Sequence, residues 1–385
     1  MSVTEVPGFI AAGVTCGIKP SGNPDLALVA TADGAPVSAA GVFTSNKMTA
    51  APVLVCQEHL AATGGQAAAV VLNSGNANAA TGAQGMADAR QMCAETAAAL
   101  GVAPEDVLVC STGLIGYALP MDAVSAGITA AAQALTATAG PQAAEAIMTT
   151  DTVPKQVLIA GDGFTVGGMA KGAAMLEPNM ATMLAVLVTD AAADPDTLQK
   201  ALREGVSGTF NTLTVDGAES TNDTVLILAN GQAGPVDPDA LTEAVAAACE
   251  SLALQMADDA EGSTKTVFLR VTGAASDAEA AKAARDTANC QLVKCSWYGE
   301  DPYWGRIASE MGAAGVVFDN TKLTIAYGPH VVYDHGEPAH PPELADYMTG
   351  RHLELHVDLG MGDGQARIIT TDLTHAYIDE NMGTS

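Results

Sequence analysis

The chain has 385 residues, long enough for two domains with their own cores, and its 48% hydrophobic content excludes a disordered or fibrous protein. Forty-four acidic residues against 16 basic ones leave a formal charge of -28, a field that repels phosphate backbones and anionic lipid, so neither nucleic acid nor a membrane is an expected partner. Seven scattered cysteines without a C-x-x-C pair, no leader-like start and no apolar run of membrane-spanning length predict a reduced, cytoplasmic protein without disulfides or a metal site.

In chain order, runs rich in Val, Ile and Leu predict strands at 68–72, 106–109, 156–160, 182–188, 224–228 and 266–271. Ala- and Leu-rich stretches predict helices at 86–100, 121–137, 196–203, 238–257 and 278–288. Asp194 before Pro195 and Asp237 before Pro238 put a capping carboxylate ahead of a proline at the first helical position. The fold class is therefore α/β or layered α+β. The small, polar segment 272–277 marks the expected boundary between a larger domain, 1–275, and a smaller α/β domain, 276–385.

The densest cluster of unusual residues runs from Gly167 to Leu184, where a Gly-rich segment leads into an apolar run opening at Thr182. Lys171 is the only basic residue between Lys155 and Lys200, and a cation among small residues can approach a substrate carboxylate. No histidine occurs between residues 60 and 329, so chemistry there needs another base. A β-branched residue opening a strand ordinarily serves packing. The functional alternative is that Thr182 attacks the carbonyl of Ala181, breaks the chain and becomes an amino terminus whose own amine, titrating near roughly 7.7–8.0, is the base. Such a nucleophile needs an oxyanion hole, and Ser111-Thr-Gly113 after a strand offers the Thr112 hydroxyl and the Gly113 amide. The loop 73–82 is Gly- and Asn-rich, suited to cradling an anion, but fits neither dinucleotide nor P-loop spacing.

With Gly17-Ile-Lys-Pro20, Asn73-Ser-Gly-Asn-Ala-Asn78, Ser111-Thr-Gly113, Ile147-Met-Thr-Thr-Asp-Thr152, Met169-Ala-Lys-Gly172, Glu177-Pro-Asn-Met-Ala-Thr-Met-Leu184, Ser220-Thr-Asn-Asp223 and Asp259-Ala-Glu-Gly-Ser-Thr-Lys265, the sequence resembles the ornithine acetyltransferase family, also described as glutamate N-acetyltransferases of arginine biosynthesis. The resemblance runs nearly end to end. It implies a self-cleaving N-terminal-nucleophile fold, cut between Ala181 and Thr182 into an α chain 1–181 and a β chain 182–385. It also implies that Thr182 carries the acetyl group, that Thr112 and Gly113 form the oxyanion hole, and that Thr149, Lys171, Glu261 and Asn381 bind substrate. Ser385 is expected to supply the C-terminal substrate contact, with Thr384 as alternative because the chain ends one residue short of the usual pattern. Tyr303, Cys290 and Cys295 depart from the family's usual Asn, Ser and Thr.

The implied cycle is ping-pong: N-acetylornithine acylates Thr182, ornithine leaves, and glutamate takes the acetyl group. No metal or redox cofactor is implied; acetyl-CoA stays open as a second donor. The family assembles as a heterotetramer of two α and two β chains. Two rivals remain at this stage: a related self-cleaving aminopeptidase or amidase that passes the acyl group to water, and an uncleaved acidic protein that binds a small anion.

Overall fold

The computed structural model describes residues 2–177 and 183–383. The chain forms two compact units, Met1–Asn211 with Ala218–Met256, and Thr212–Gly217 with Ala257–Ser385.

The first unit contains, in chain order, β1 (Phe9–Val14), β2 (Leu26–Thr31), β3 (Val37–Phe43), α1 (Ala51–Thr63), β4 (Gln66–Ala67), β5 (Ala69–Asn76), α2 (Gly82–Leu100), β6 (Val107–Leu114), α3 (Met121–Ala134), α4 (Gly140–Ala146), β7 (Lys155–Ala160), β8 (Thr165–Lys171), β9 (Leu184–Ala192), α5 (Pro195–Ser207), β10 (Thr224–Pro235) and α6 (Pro238–Asp258). One sheet has the order β1-β2-β5-β6 and a second the order β4-β3-β10-β9-β8-β7. The β5/β6 and β9/β10 pairs are parallel. Central strands of this kind are covered on both faces, so they read as continuous apolar runs. Every residue of β2 is buried, and so are Leu184 to Ala191 of β9. A single core joins the two sheets: Leu28, Val70 and Leu108 of the first belong to the same apolar cluster as Val186 and Leu226 of the second. Helix α1 packs against both β3 and β6.

The sequence-based expectation lacks β2, although its Leu-Ala-Leu-Val-Ala-Thr run is apolar, and β4, as well as β1, β3 and β8. The last three are built of Ala and Gly as much as of Val (Phe-Ile-Ala-Ala-Gly-Val in β1, Thr-Val-Gly-Gly-Met-Ala-Lys in β8) and so carry little β propensity. Tertiary contact requires the small residues instead. A Cβ on Gly168 would stand 2.5 Å from a terminal methyl of Leu187, its register partner on β9, so a larger residue there would force Leu187 to repack. Strand β9 begins at Leu184, and its expected first residue, Thr182, lies outside the described residues.

The second unit is built on a six-stranded sheet of order β14-β13-β12-β15-β11-β16. In chain order it comprises β11 (Thr266–Ala274), α7 (Asp277–Asn289), α8 (Gln291–Tyr298), α9 (Trp304–Ala313), β12 (Thr324–Tyr327), β13 (His330–Asp334), β14 (Glu337–Pro338), α10 (Leu344–Met348), β15 (His352–Asp358), β16 (Gly364–Thr371) and α11 (His375–Asn381). Strand β15 alternates exposed and buried residues, as a strand with one wet face must. The boundary expected after residue 275 needs correction. The break falls after Met256, because β11 hydrogen-bonds to β15 and β16 along its length and cannot be parted from them.

Both expected proline-preceded caps form. The Asp194 carboxylate accepts the Thr197 amide at 2.7 Å and Asp237 accepts the Asp239 amide at 2.9 Å. No helix among the described residues is long and apolar enough to cross a membrane. The core of the second unit turns on Trp297, fully buried, with its indole N–H donating to the Tyr327 hydroxyl at 3.0 Å. Replacing Trp297 with Ala leaves a cavity and orphans that hydroxyl, so urea unfolding followed by circular dichroism should show a loss of about 3–5 kcal/mol.

Candidate active site

Parallel pairing of β5 with β6 sets Ser74 opposite Thr112 and Gly75 opposite Gly113. Gly113 has φ +131°, and a Cβ there would fall 2.3 Å from the Gly75 carbonyl carbon, so only glycine fits. Thr112 beside it is buried. The segment is fastened from the second sheet by Asn222, whose amide group donates to the Ser111 carbonyl at 2.9 Å and to the Ala77 carbonyl at 2.6 Å.

The next residue, Asp223, fastens the start of β9. Its Oδ1 accepts the Met183 amide at 2.9 Å, and the Thr224 amide returns a bond to the Met183 carbonyl at 3.1 Å. Across the sheet, Lys171 of β8 stands in register with Leu184, and Leu184 with Thr224. Two adjacent residues, Asn222 and Asp223, thus hold both the oxyanion-hole candidate and the residue that follows Thr182. Ala181, Thr182 and Ser385, with Thr384, lie outside the described residues.

Thr149 and Lys171 are brought together by a residue to which the sequence reading assigned no role. Asp151 accepts the Thr149 amide at 3.0 Å through Oδ2, and the Gly172 amide at 2.7 Å and the Lys155 ammonium at 2.7 Å through Oδ1. The Asp151–Lys155 pair has no side-chain exposure at all. Burial alone would raise the Asp151 carboxyl. Lys171, then Lys155 and the hydrogen bonds, more than offset that and hold it at about 2. Lys19 of the Gly-Ile-Lys-Pro run adds a further cation whose pKa burial lowers, against the pull of Asp25 and Asp151. Its loop is set by Asp25, which accepts four successive backbone amides, from Cys16 to Lys19, at 2.6–3.0 Å.

The loop 73–82, read as a candidate anion cradle, spends its side chains on itself and its neighbours. Asn73 donates to the Asn76 carbonyl, Asn76 to those of Tyr117 and Ala118, and Ser74 to that of Ala146. It works as a brace under β6.

In the second unit Glu261 is buried and its Oε2 accepts the Asn381 side-chain amide at 2.7 Å; the same amide donates to the Tyr377 carbonyl at 2.9 Å. Helix α11 is pinned to this loop by Thr374, which donates to the Gly262 carbonyl at 2.7 Å and caps the helix at Tyr377. Gly262 has φ +61°, and a Cβ there would meet the Tyr377 amide at 2.4 Å. The Tyr377 hydroxyl donates to Asp216 at 3.2 Å; burial first, then Asp216 and Glu261, push its pKa well up. The pairing of Glu261 with Asn381, 120 residues apart, is therefore a built polar constellation.

Residues 10–383 match the model of the ArgJ family. The chain belongs to the ArgJ family. All of it aligns, at 48% identity over 393 residues, with 96% of the arginine biosynthesis bifunctional protein ArgJ of Mycobacterium tuberculosis (strain ATCC 25618 / H37Rv). It also aligns, at 47% identity over 387 residues and along the whole of both chains, with the protein of the same name from Streptomyces coelicolor. Among solved structures, ornithine acetyltransferase complexed with ornithine from M. tuberculosis matches 46% of this chain and 94% of its own at 49% identity, with a TM-score of 0.44.

In this ArgJ chain, sequence reasoning missed Asp151, Asn222, Asp223 and Lys19 as organising residues, although each lies inside a motif that carried the family resemblance. A buried charge that binds main-chain amides leaves no periodic signal. A better clue was the density of Asp and Asn in apolar surroundings, where burial demands partners.

The depressed Asp151 carboxyl contributes stability that is present above the unfolded value near 3.8 and lost as pH falls through about 2. Asp151→Asn strands the Lys155 charge, so at pH 7 it should cost about 3–5 kcal/mol. The difference in melting temperature between variant and wild type should narrow between about pH 4 and pH 2; a gap unchanged over that window would sink the assignment.

Proposed function

We propose that this ArgJ-family chain cleaves itself between Ala181 and Thr182 and then moves an acetyl group from N-acetylornithine to glutamate through an acetyl ester on Thr182. It is an acyltransferase of arginine biosynthesis. The reading is carried by the 48% identity, along the whole chain, to relatives named as bifunctional arginine-biosynthesis proteins. Support comes from the geometry around Met183, which ties the residue after the proposed nucleophile to the loop of Thr112 and Gly113.

The freed Thr182 amine, titrating near roughly 7.7–8.0, takes the proton of its own hydroxyl as that oxygen attacks the acetyl carbonyl. The developing oxyanion is met by the Gly113 amide and the Thr112 hydroxyl. The need for glycine at 113, packed on the Gly75 backbone, keeps side chains away from that amide. Ornithine departs and glutamate attacks the ester from the same side. Lys171 receives a substrate carboxylate and Glu261, steadied by Asn381, a substrate ammonium group; Thr149 and Ser385 complete the binding set. The reaction requires no metal or redox cofactor, since nucleophile, base and oxyanion donors are all protein groups. Acetyl-CoA serves as the second donor, which makes the enzyme bifunctional. The working form is a cytoplasmic heterotetramer of two α and two β chains.

Intact-mass spectrometry of the purified protein should give two fragments, the second beginning at Thr182, and Thr182→Ala should give one full-length chain. A single full-length mass for the folded wild type would remove the mechanism. With N-acetylornithine as donor, acetyl transfer should depend on glutamate, with little net hydrolysis. Release of acetate at the same rate without glutamate would identify a hydrolase of related chemistry instead. Rates with acetyl-CoA as donor report the second activity directly.

A further inference from the structure

Asp223 is fully buried, at 0% exposure, yet only half of its carboxyl group is used. Oδ1 accepts the Met183 amide, whereas Oδ2 has no hydrogen-bond partner among the described residues, and the Ser220 hydroxyl nearby weighs on the carboxyl electrostatically. A buried carboxyl oxygen without a partner costs free energy and calls for a role. Met183 follows Thr182 in the chain, so the amide nitrogen that Asp223 grips is three covalent bonds from the Thr182 nitrogen. Burial is the main influence on this carboxyl and drives its pKa well above the usual range. The Met183 amide, the Ser220 hydroxyl and Lys171 oppose that, in this order, and Glu219 adds to it. Burial thus favours the protonated form of this carboxyl, in a stretch of chain without histidine.

Building on the self-cleavage reading, we infer that Asp223 is the acid that protonates the departing Thr182 nitrogen when the chain cuts itself. As the Thr182 oxygen bonds to the Ala181 carbonyl carbon, the carbon–nitrogen bond breaks and its electron pair stays on nitrogen. Nitrogen takes the proton of the Asp223 carboxyl, and the resulting carboxylate takes the proton released by the Thr182 hydroxyl. The net change is one proton moved from oxygen to nitrogen, leaving an ester that water then hydrolyses to the Ala181 carboxylate and free Thr182. The bond from Oδ1 to the Met183 amide holds the acid in place throughout.

The test is Asp223→Asn in the full-length chain, made by cell-free synthesis and followed by denaturing gel and intact mass, beside wild type and Thr182→Ala. The substitution keeps an acceptor for the Met183 amide and removes the acid. Cleavage should slow by on the order of a hundredfold. Because burial raises this carboxyl in the folded protein, the wild-type melting temperature should fall as pH climbs above the unfolded value near 3.8, and Asp223→Asn should lack that dependence, which shows that the variant has removed the acid and kept the fold. Wild-type cleavage rates provide a second measurement that does not rely on the variant folding. They should fall with rising pH once the acid loses its proton, with Lys171 and Glu219 the charged neighbours that set where. Cleavage of the variant at the wild-type rate, or wild-type cleavage that accelerates steadily with hydroxide, would overturn the assignment. A wild-type chain that never cuts would instead overturn the self-cleavage reading on which it rests.

Discussion

Asp151 has given up its water to sit among Lys155, Lys171 and two backbone amides, and the candidate site is arranged around that exchange. A carboxylate removed from solvent must recover its hydration energy from fixed donors, so whatever supplies those donors is held in place. Here the donors are the amide of Thr149, the amide that follows Lys171, and the Lys155 ammonium at the start of β7. One buried charge therefore fixes two substrate-binding candidates that lie 22 residues apart in sequence. In a chain of formal charge -28, Lys19, Lys155 and Lys171 all act on this one carboxylate.

The second constraint is steric. Gly113 and Gly75 let two parallel strands end in mutual contact, and Asn222 stitches the carbonyls around them to the edge of the other sheet. Continuity of the core across both sheets makes this stitching rigid, since close-packed interiors transmit displacement rather than absorb it. The result is a fixed setting for the Thr112 and Gly113 backbone, as the proposed oxyanion hole requires of its donors. The second unit repeats the device on its own scale. Gly262 admits the backbone of α11, and Thr374 and Asn381 lock Glu261 against it.

Much of this was legible in the linear chain. The strands rich in Val and Leu and the proline-preceded helix starts follow from local propensity and capping, and they appear where those rules put them. Motif residues Thr112, Gly113, Thr149, Lys171, Glu261 and Asn381 all fall at strand ends, loops or helix ends, with their polar groups held in defined environments. Strands of Ala and Gly were not legible, because their stability comes from the close approach of a neighbour; β2 and β12 to β16 were missed too, although several of them carry Leu, Val and Ile. Nor was the domain boundary legible: a polar segment at 272–277 looks like a linker, but hydrogen-bond pairing of β11 with β15 and β16 outweighs composition.

The sequence by itself determined the family, the α/β class and the residue types from which a histidine-free acyl transfer is built, because those depend on local chemistry and on motifs read in order. Only the tertiary structure decided which acidic residues matter. Asp25, Asp151 and Asp223 are three of 44 acidic side chains, indistinguishable in the string from those that merely keep the surface wet. Each becomes special through burial, and burial is a property of the folded neighbourhood: what surrounds a carboxyl decides whether its pKa is pulled down, as at Asp151, or pushed up, as at Asp223.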